Sequence, residues 1–177
     1  DMAPSAAHYN ALIISWGYSR SPHAFRNVLR TFDLARVSGT RFDLRSFAAV
    51  LLALARSSTV EGAMAAENVL SHMLSDAVIP NVACYNSVMY AWRCSGTPYV
   101  FDRCRDVFDR LLQAYEASGF DADLRPDSIT YTTLIDAIVQ NESTKYEKNG
   151  GERAEALLDE MEARAAHGRC EHPRTNV

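Results

Sequence analysis

Apolar positions recur along this chain with two superposed periods. Within short windows they follow the spacing of one helical face: Tyr9, Leu12, Ile13 and Trp16 fall at i, i+3, i+4 and i+7. Over longer distances four such windows align without gaps, Tyr9–Trp16, Phe47–Leu54, Tyr85–Trp92 and Tyr131–Ile138. Each opens on an aromatic and places a small residue (Ser15, Ala53, Ala91 or Ala137) six positions later. The openings at 9, 47, 85 and 131 are separated by 38, 38 and 46 residues. A period in this range marks stacked supersecondary units rather than one irregular globule. Helices are predicted over 8–20, 45–57, 83–95 and 129–141.

A second set of apolar windows lies between the first. Ala66, Val69, Leu70 and Met73 share their spacing with Cys104, Val107, Phe108 and Leu111, and again with Ala154, Leu157, Leu158 and Met161. Val28, Phe32 and Ala35 follow the pattern more loosely in the first unit. Small residues at 66, 104 and 154 suit a close approach of paired helices. Punctuation agrees. Pro22 and Pro98 suit the first turns of second helices, Gly39, Gly119 and Gly168 suit their ends, and Pro80, Pro126 and Pro173 close the units. Polar stretches at 140–151 and 115–125 read as loops that lengthen the later units. The predicted class is therefore all-α, a helical-repeat solenoid of about four helix–turn–helix units.

Composition narrows the picture further. A hydrophobic fraction of 47%, with 10% aromatic, supplies ample core and excludes a disordered chain. No apolar run approaches the roughly 20 residues needed to span a bilayer, so no membrane association is expected. No signal or transit segment is visible. The chain opens at Asp1 within the pattern and stops at Val177 as the pattern restarts, so a piece of a longer protein is expected. Cys84, Cys94, Cys104 and Cys170 lack the paired spacing of zinc or redox sites and read as reduced thiols, most of them on helices. His8, His23, His72, His167 and His172 form no ligand set with carboxylates or thiols. No phosphate loop or nucleophile–base constellation stands out. Neither catalysis nor a cofactor is expected.

The windows Tyr85-Asn86-Ser-Val-Met with Val107-Phe108-x-x-Leu111, Gly119 and Arg125-Pro126-Asp127, and Ile129-Thr-Tyr-Thr-Thr-Leu-Ile with Ala154–Met161 and His172-Pro173, resemble the pentatricopeptide repeat (PPR) family. The resemblance covers essentially the whole chain, with units at about 6–43, 44–81, 82–127 and 128–174 and the start of a further unit at 175–177. It implies a right-handed solenoid that binds single-stranded RNA at roughly one base per repeat, in a mitochondrion or plastid. In that family the residue after the first-helix aromatic and the last residue of the unit read the base. Here the pairs are Asn10 with Asp43, Ala48 with Asn81, Asn86 with Asp127, and Thr132 with Arg174. Asn with Asp implies uracil, Ala48 departs from the code, and Thr132 implies a purine, with Arg174 leaving that base open. The implied target is U, any base, U, then a purine. The residues two places before each aromatic, Ala7, Arg45, Ala83 and Ile129, would sandwich the bases. Outside the resemblance, helix capping is the alternative use of the two asparagines, and Trp16 and Trp92, in register with Leu54 and Ile138, read as core.

Charge tests the RNA expectation. The sequence pI is about 5.7 and the formal net charge is −4, which opposes binding to phosphates. The predicted first helices nevertheless hold four of the 18 basic residues (Arg20, Arg45, Arg56 and Arg93) and one of the 22 acidic ones, Asp136. Arg56 and Arg93 are the candidate phosphate contacts. Two other readings stay open: a scaffold for protein partners in the concave face, and a structural PPR subunit of a mitochondrial ribonucleoprotein whose long loops carry contacts of their own.

Overall fold

The computed structural model describes residues 4–19, 21, 23–142 and 150–170, with the side chains of all but 141–142 and 165–170. The described residues form eight α-helices and no strand. In chain order they are α1 (Ala6–Tyr18), α2 (Ala24–Val37), α3 (Leu44–Ala55), α4 (Val60–Ser75), α5 (Val82–Cys94), α6 (Val100–Ala117), α7 (Ser128–Glu142) and α8 (Gly150–Cys170). A 3-10 turn, Ala122–Leu124, precedes α7.

The odd-numbered helices start where a polar side chain closes the preceding stretch. Asp43 accepts the Ser46 backbone N–H, Asn81 that of Cys84, and Asp127 that of Thr130. Such caps satisfy backbone donors that have no partner inside the helix. At their other ends α2 and α6 stop at Gly39 and Gly119, both with positive φ. Ala77 fills the same role after α4 with φ of 57°, so glycine was not required there. Pro98 lies just before Tyr99, the cap of α6, rather than inside its first turn. Gly168 lies within α8 instead of ending it, because the helix runs on to Cys170. Pro22 and Pro173 lie outside the described residues, as does most of the 140–151 stretch.

Packing follows the chain. Each of α1, α3 and α5 packs on the helix that follows it and on the next odd-numbered helix, and α7 packs on α8. The repeated registers explain why. Phe47, Tyr85 and Tyr131 are buried, as are Val50, Val88 and Leu134 three positions on. The second register buries Val28, Phe32 and Ala35 as completely as Ala66, Leu70 and Met73. Phe32 meets Phe47 edge-on at 5.8 Å, and Phe108 meets Tyr131 in the same way at 5.5 Å. At the outer helices the same positions lose their cover: Leu12 is 46% exposed and Leu158 47%. Gly17 lets α1 approach α3 closely, since a Cβ there would stand 2.7 Å from that of Ala53. Trp92 is buried and donates to Glu67, whereas Trp16 is half-buried. Ion pairs join the even-numbered helices across the repeat: Arg36 to Asp76, Arg110 to Glu67 and Arg105 to Glu160. No helix among the described residues is long and apolar enough to cross a membrane.

Candidate nucleic-acid interface

Because α1, α3, α5 and α7 lie side by side, the residue following each helix's aromatic comes close to the cap of the next odd helix. Two of the expected pairs meet there. The Asn86 amide donates to Asp127 Oδ1 at 3.0 Å. Asn10 and Asp43 are joined through Ser46, whose hydroxyl accepts from Asn10 Nδ2 at 2.8 Å and donates to Asp43 Oδ1 at 2.6 Å. The two sites also differ at the amide oxygen. Asn86 Oδ1 accepts the Thr130 hydroxyl at 2.8 Å, while Asn10 Oδ1 is buried with no hydrogen-bond partner.

These contacts set the electrostatics of both carboxylates. At Asp43 the Ser46 hydroxyl, then the Ser46 backbone N–H, hold the carboxyl below its ordinary 3.8. At Asp127 burial works the other way and is outweighed by the Thr130 backbone N–H, the Asn86 amide and the Thr130 hydroxyl, so the net shift is also downward. Hydrogen bonds to the ionised form account for both directions. The two aspartates thus stay charged and acceptor-only at neutral pH, and each holds an amide or a hydroxyl in place.

The other pairs are not assembled in this way. Ala48 is half-buried and has no polar atom to meet Asn81, which caps α5 through the Cys84 N–H. Thr132 is exposed, and Arg174 lies outside the described residues. The four sandwich positions, Ala7, Arg45, Ala83 and Ile129, are all exposed. Of the candidate phosphate contacts, Arg56 lies over the Tyr18 ring at 4.1 Å and is exposed. Arg93 lies over Tyr90 at 4.8 Å and pairs with Asp136 at 3.4 Å, so part of its charge is already answered. Arg20 lies outside the described residues.

Several features went unread in the sequence. Ser46 and Thr130 sit one place before their aromatics, a position whose hydroxyl gave no signal beyond helix filling. Ile14, Leu52 and Tyr90 share one register on α1, α3 and α5 and are each more than 40% exposed. A crevice of about 150 Å³ opens beside Ile14, Leu52 and Arg56. A larger cavity, about 920 Å³, lies between the start of α7 and α8 under the 115–125 insertion, lined by Tyr115, Phe120, Arg125, Tyr131, Met161 and Arg164 among others. The buried Tyr131 hydroxyl has no hydrogen-bond partner.

Cys84 and Cys104 are buried free thiols, and burial pushes the Cys104 thiol up to about 12. Among the described residues no cluster of His, Cys, Asp and Glu is arranged to hold a metal ion. Compared with known proteins, the chain matches no family model and no curated sequence.

Proposed function

We propose that this chain is part of a right-handed PPR-type solenoid that binds single-stranded RNA along the face of α1, α3, α5 and α7, without chemistry of its own. Asn10 with Asp43 and Asn86 with Asp127 read uracil; Ala48 with Asn81 accepts any base; Thr132 favours a purine, with Arg174 leaving that base open. Ala7, Arg45, Ala83 and Ile129 flank the bases, and Arg56 and Arg93 face the phosphates. On the same reading the protein acts on organellar transcripts, in a mitochondrion or plastid, in their stability, processing or translation.

The observation that carries this reading is that Asn86 bonds directly to the aspartate capping the next odd helix, and Asn10 reaches the corresponding aspartate through Ser46. An amide offers one donor and one acceptor edge, and a fixed carboxylate orients it. Packing of each odd helix on the next odd helix supports the solenoid. Titration of labelled oligo(U) at two salt concentrations tests the proposal. Binding should weaken steeply with salt, because phosphate contacts release counterions.

A second reading is favoured by a different observation. Ile14, Leu52 and Tyr90 form an exposed apolar register on this same face, which suits a protein partner. Salt-insensitive capture of an apolar peptide, with no RNA bound at low salt, would select it.

A further inference from the structure

We propose that Ser46 and Thr130 are positioning residues that set the base preference of the first and third units, by fixing which way the Asn10 and Asn86 amides face. The proposal rests on the RNA-reading function above and assigns it two residues outside the expected pairs.

The two hydroxyls occupy equivalent places. Ser46 and Thr130 each lie three residues after a capping aspartate and donate to its Oδ1, at 2.6 and 2.9 Å. Both are almost wholly buried. Each also touches the amide reaching over from the preceding odd helix: Ser46 accepts from Asn10 Nδ2, and the single Thr130 hydroxyl proton is shared between Asp127 Oδ1 and Asn86 Oδ1. Aspartate, hydroxyl and amide form a closed triad at Asn86 and a linear chain at Asn10, with Ser46 in the middle. In the junction between α3 and α5 the hydroxyl position holds Cys84 and the amide position holds Ala48. Hydroxyl and amide are present together in two junctions and absent together in the third.

The chemistry gives this arrangement a use. A free primary amide can turn over and exchange its donor and acceptor ends. Uracil presents a ring N–H between two carbonyls, whereas cytosine presents a bare ring nitrogen beside an amino group. An amide free to turn pairs with either; an amide whose NH2 end is held, by the Ser46 hydroxyl at Asn10 and by the Asp127 carboxylate at Asn86, pairs with one. The carboxylate accepts only, so it draws the NH2 end inward, as Asn86 shows. The hydroxyl then holds the remaining freedom. Supporting groups that lock a reading side chain are what make a site selective.

The test uses the full chain and 12-nucleotide oligo(U) and oligo(C), with dissociation constants measured by anisotropy and melting followed for each variant. Wild type should favour oligo(U) by roughly fivefold or more, the discrimination of a good paired contact. In S46A/T130V the ratio should fall to within about twofold, chiefly by a gain on oligo(C), which a purely structural role would not produce. S46T/T130S, which keeps both hydroxyls, should restore the ratio. Should the double variant not fold, S46A alone decides, because the residue 46 backbone N–H still caps α3 through Asp43. An unchanged ratio with both affinities weakened equally would overturn the positioning role and leave RNA reading intact. Wild type that binds neither RNA, or both alike, would overturn the RNA reading and this proposal with it.

Discussion

Asp127→Ala should be markedly more destabilising than Asp43→Ala, although both aspartates cap an odd-numbered helix. At Asp43 a cap worth about 1 kcal/mol is lost; the buried Ser46 hydroxyl also loses its acceptor, but it can donate instead to the unpartnered Asn10 Oδ1 once that amide turns over. At Asp127 the same cap is lost, and the Asn86 amide also loses its acceptor. Asn86 is only 7% exposed, so water does not replace that acceptor freely. A buried donor left unpaired costs about 1–3 kcal/mol more. The expected totals are roughly 2–4 kcal/mol for Asp127→Ala against about 1 kcal/mol for Asp43→Ala. Urea unfolding followed by circular dichroism measures both. A double-mutant cycle between Asn86 and Asp127 isolates the contact, with an expected coupling in the range of about 0.5–3 kcal/mol. The pH dependence supplies a second check. The Asp127 carboxyl is depressed in the folded state, so its contribution is present above the ordinary value of 3.8 and is lost as pH falls through the folded value. The gap between wild type and Asp127→Ala should therefore hold constant at neutral pH and narrow only in acid. Equal losses for the two variants, or a gap that ignores acid, would refute the reasoning.

Three further outcomes follow from named contacts. Gly17→Ala should lower stability despite a helix-propensity gain of about 1 kcal/mol, because the new methyl meets Ala53 at 2.7 Å; thermal melting checks it. Asp136→Asn frees Arg93 of its partner and should strengthen oligo(U) binding while steepening its salt dependence by about one phosphate contact, read by anisotropy across a salt series. With Cys170 replaced by serine, the half-buried Cys94 should react with a thiol reagent first. Cys84 and Cys104, buried and with raised thiol pKa values, should react only on unfolding; mass spectrometry of the labelled peptides decides.

The helices were legible because burial repeats. An aromatic, an aliphatic three places on and an alanine six places on face inward in α3, α5 and α7 alike, and that regularity shows directly in the residue types. The looser match at Val28, Phe32 and Ala35 held for the same reason: position fixes burial, and side chains of different size fill it. Helix ends were less legible. Glycine is one way to reach a left-handed turn, and Ala77 reaches it without one. The meeting of Asn86 with Asp127 follows from register alone, since the residue that closes one unit also caps the next helix. The roles of Ser46 and Thr130 did not show, because a hydroxyl near a helix start has a local use that hides a distant one. The Arg93–Asp136 pair spans 43 residues and depends on how neighbouring helices are set in height. The cavity beneath the 115–125 insertion depends on Phe120 turning at φ of 68° beside Gly119, which no local pattern announces.

The central claim is that Asn10 and Asn86 read bases, and one measurement addresses it directly. Anisotropy titrations would compare short single-stranded RNAs carrying U at the first and third of four read positions with probes carrying C, G or A there. Wild type and an Asn10→Ala/Asn86→Ala variant would be measured in parallel at two salt concentrations. The expected result is salt-sensitive binding that favours the U probes in wild type and loses that preference in the variant. Equal binding of all probes by wild type, or a U preference that survives in the variant, would contradict the account.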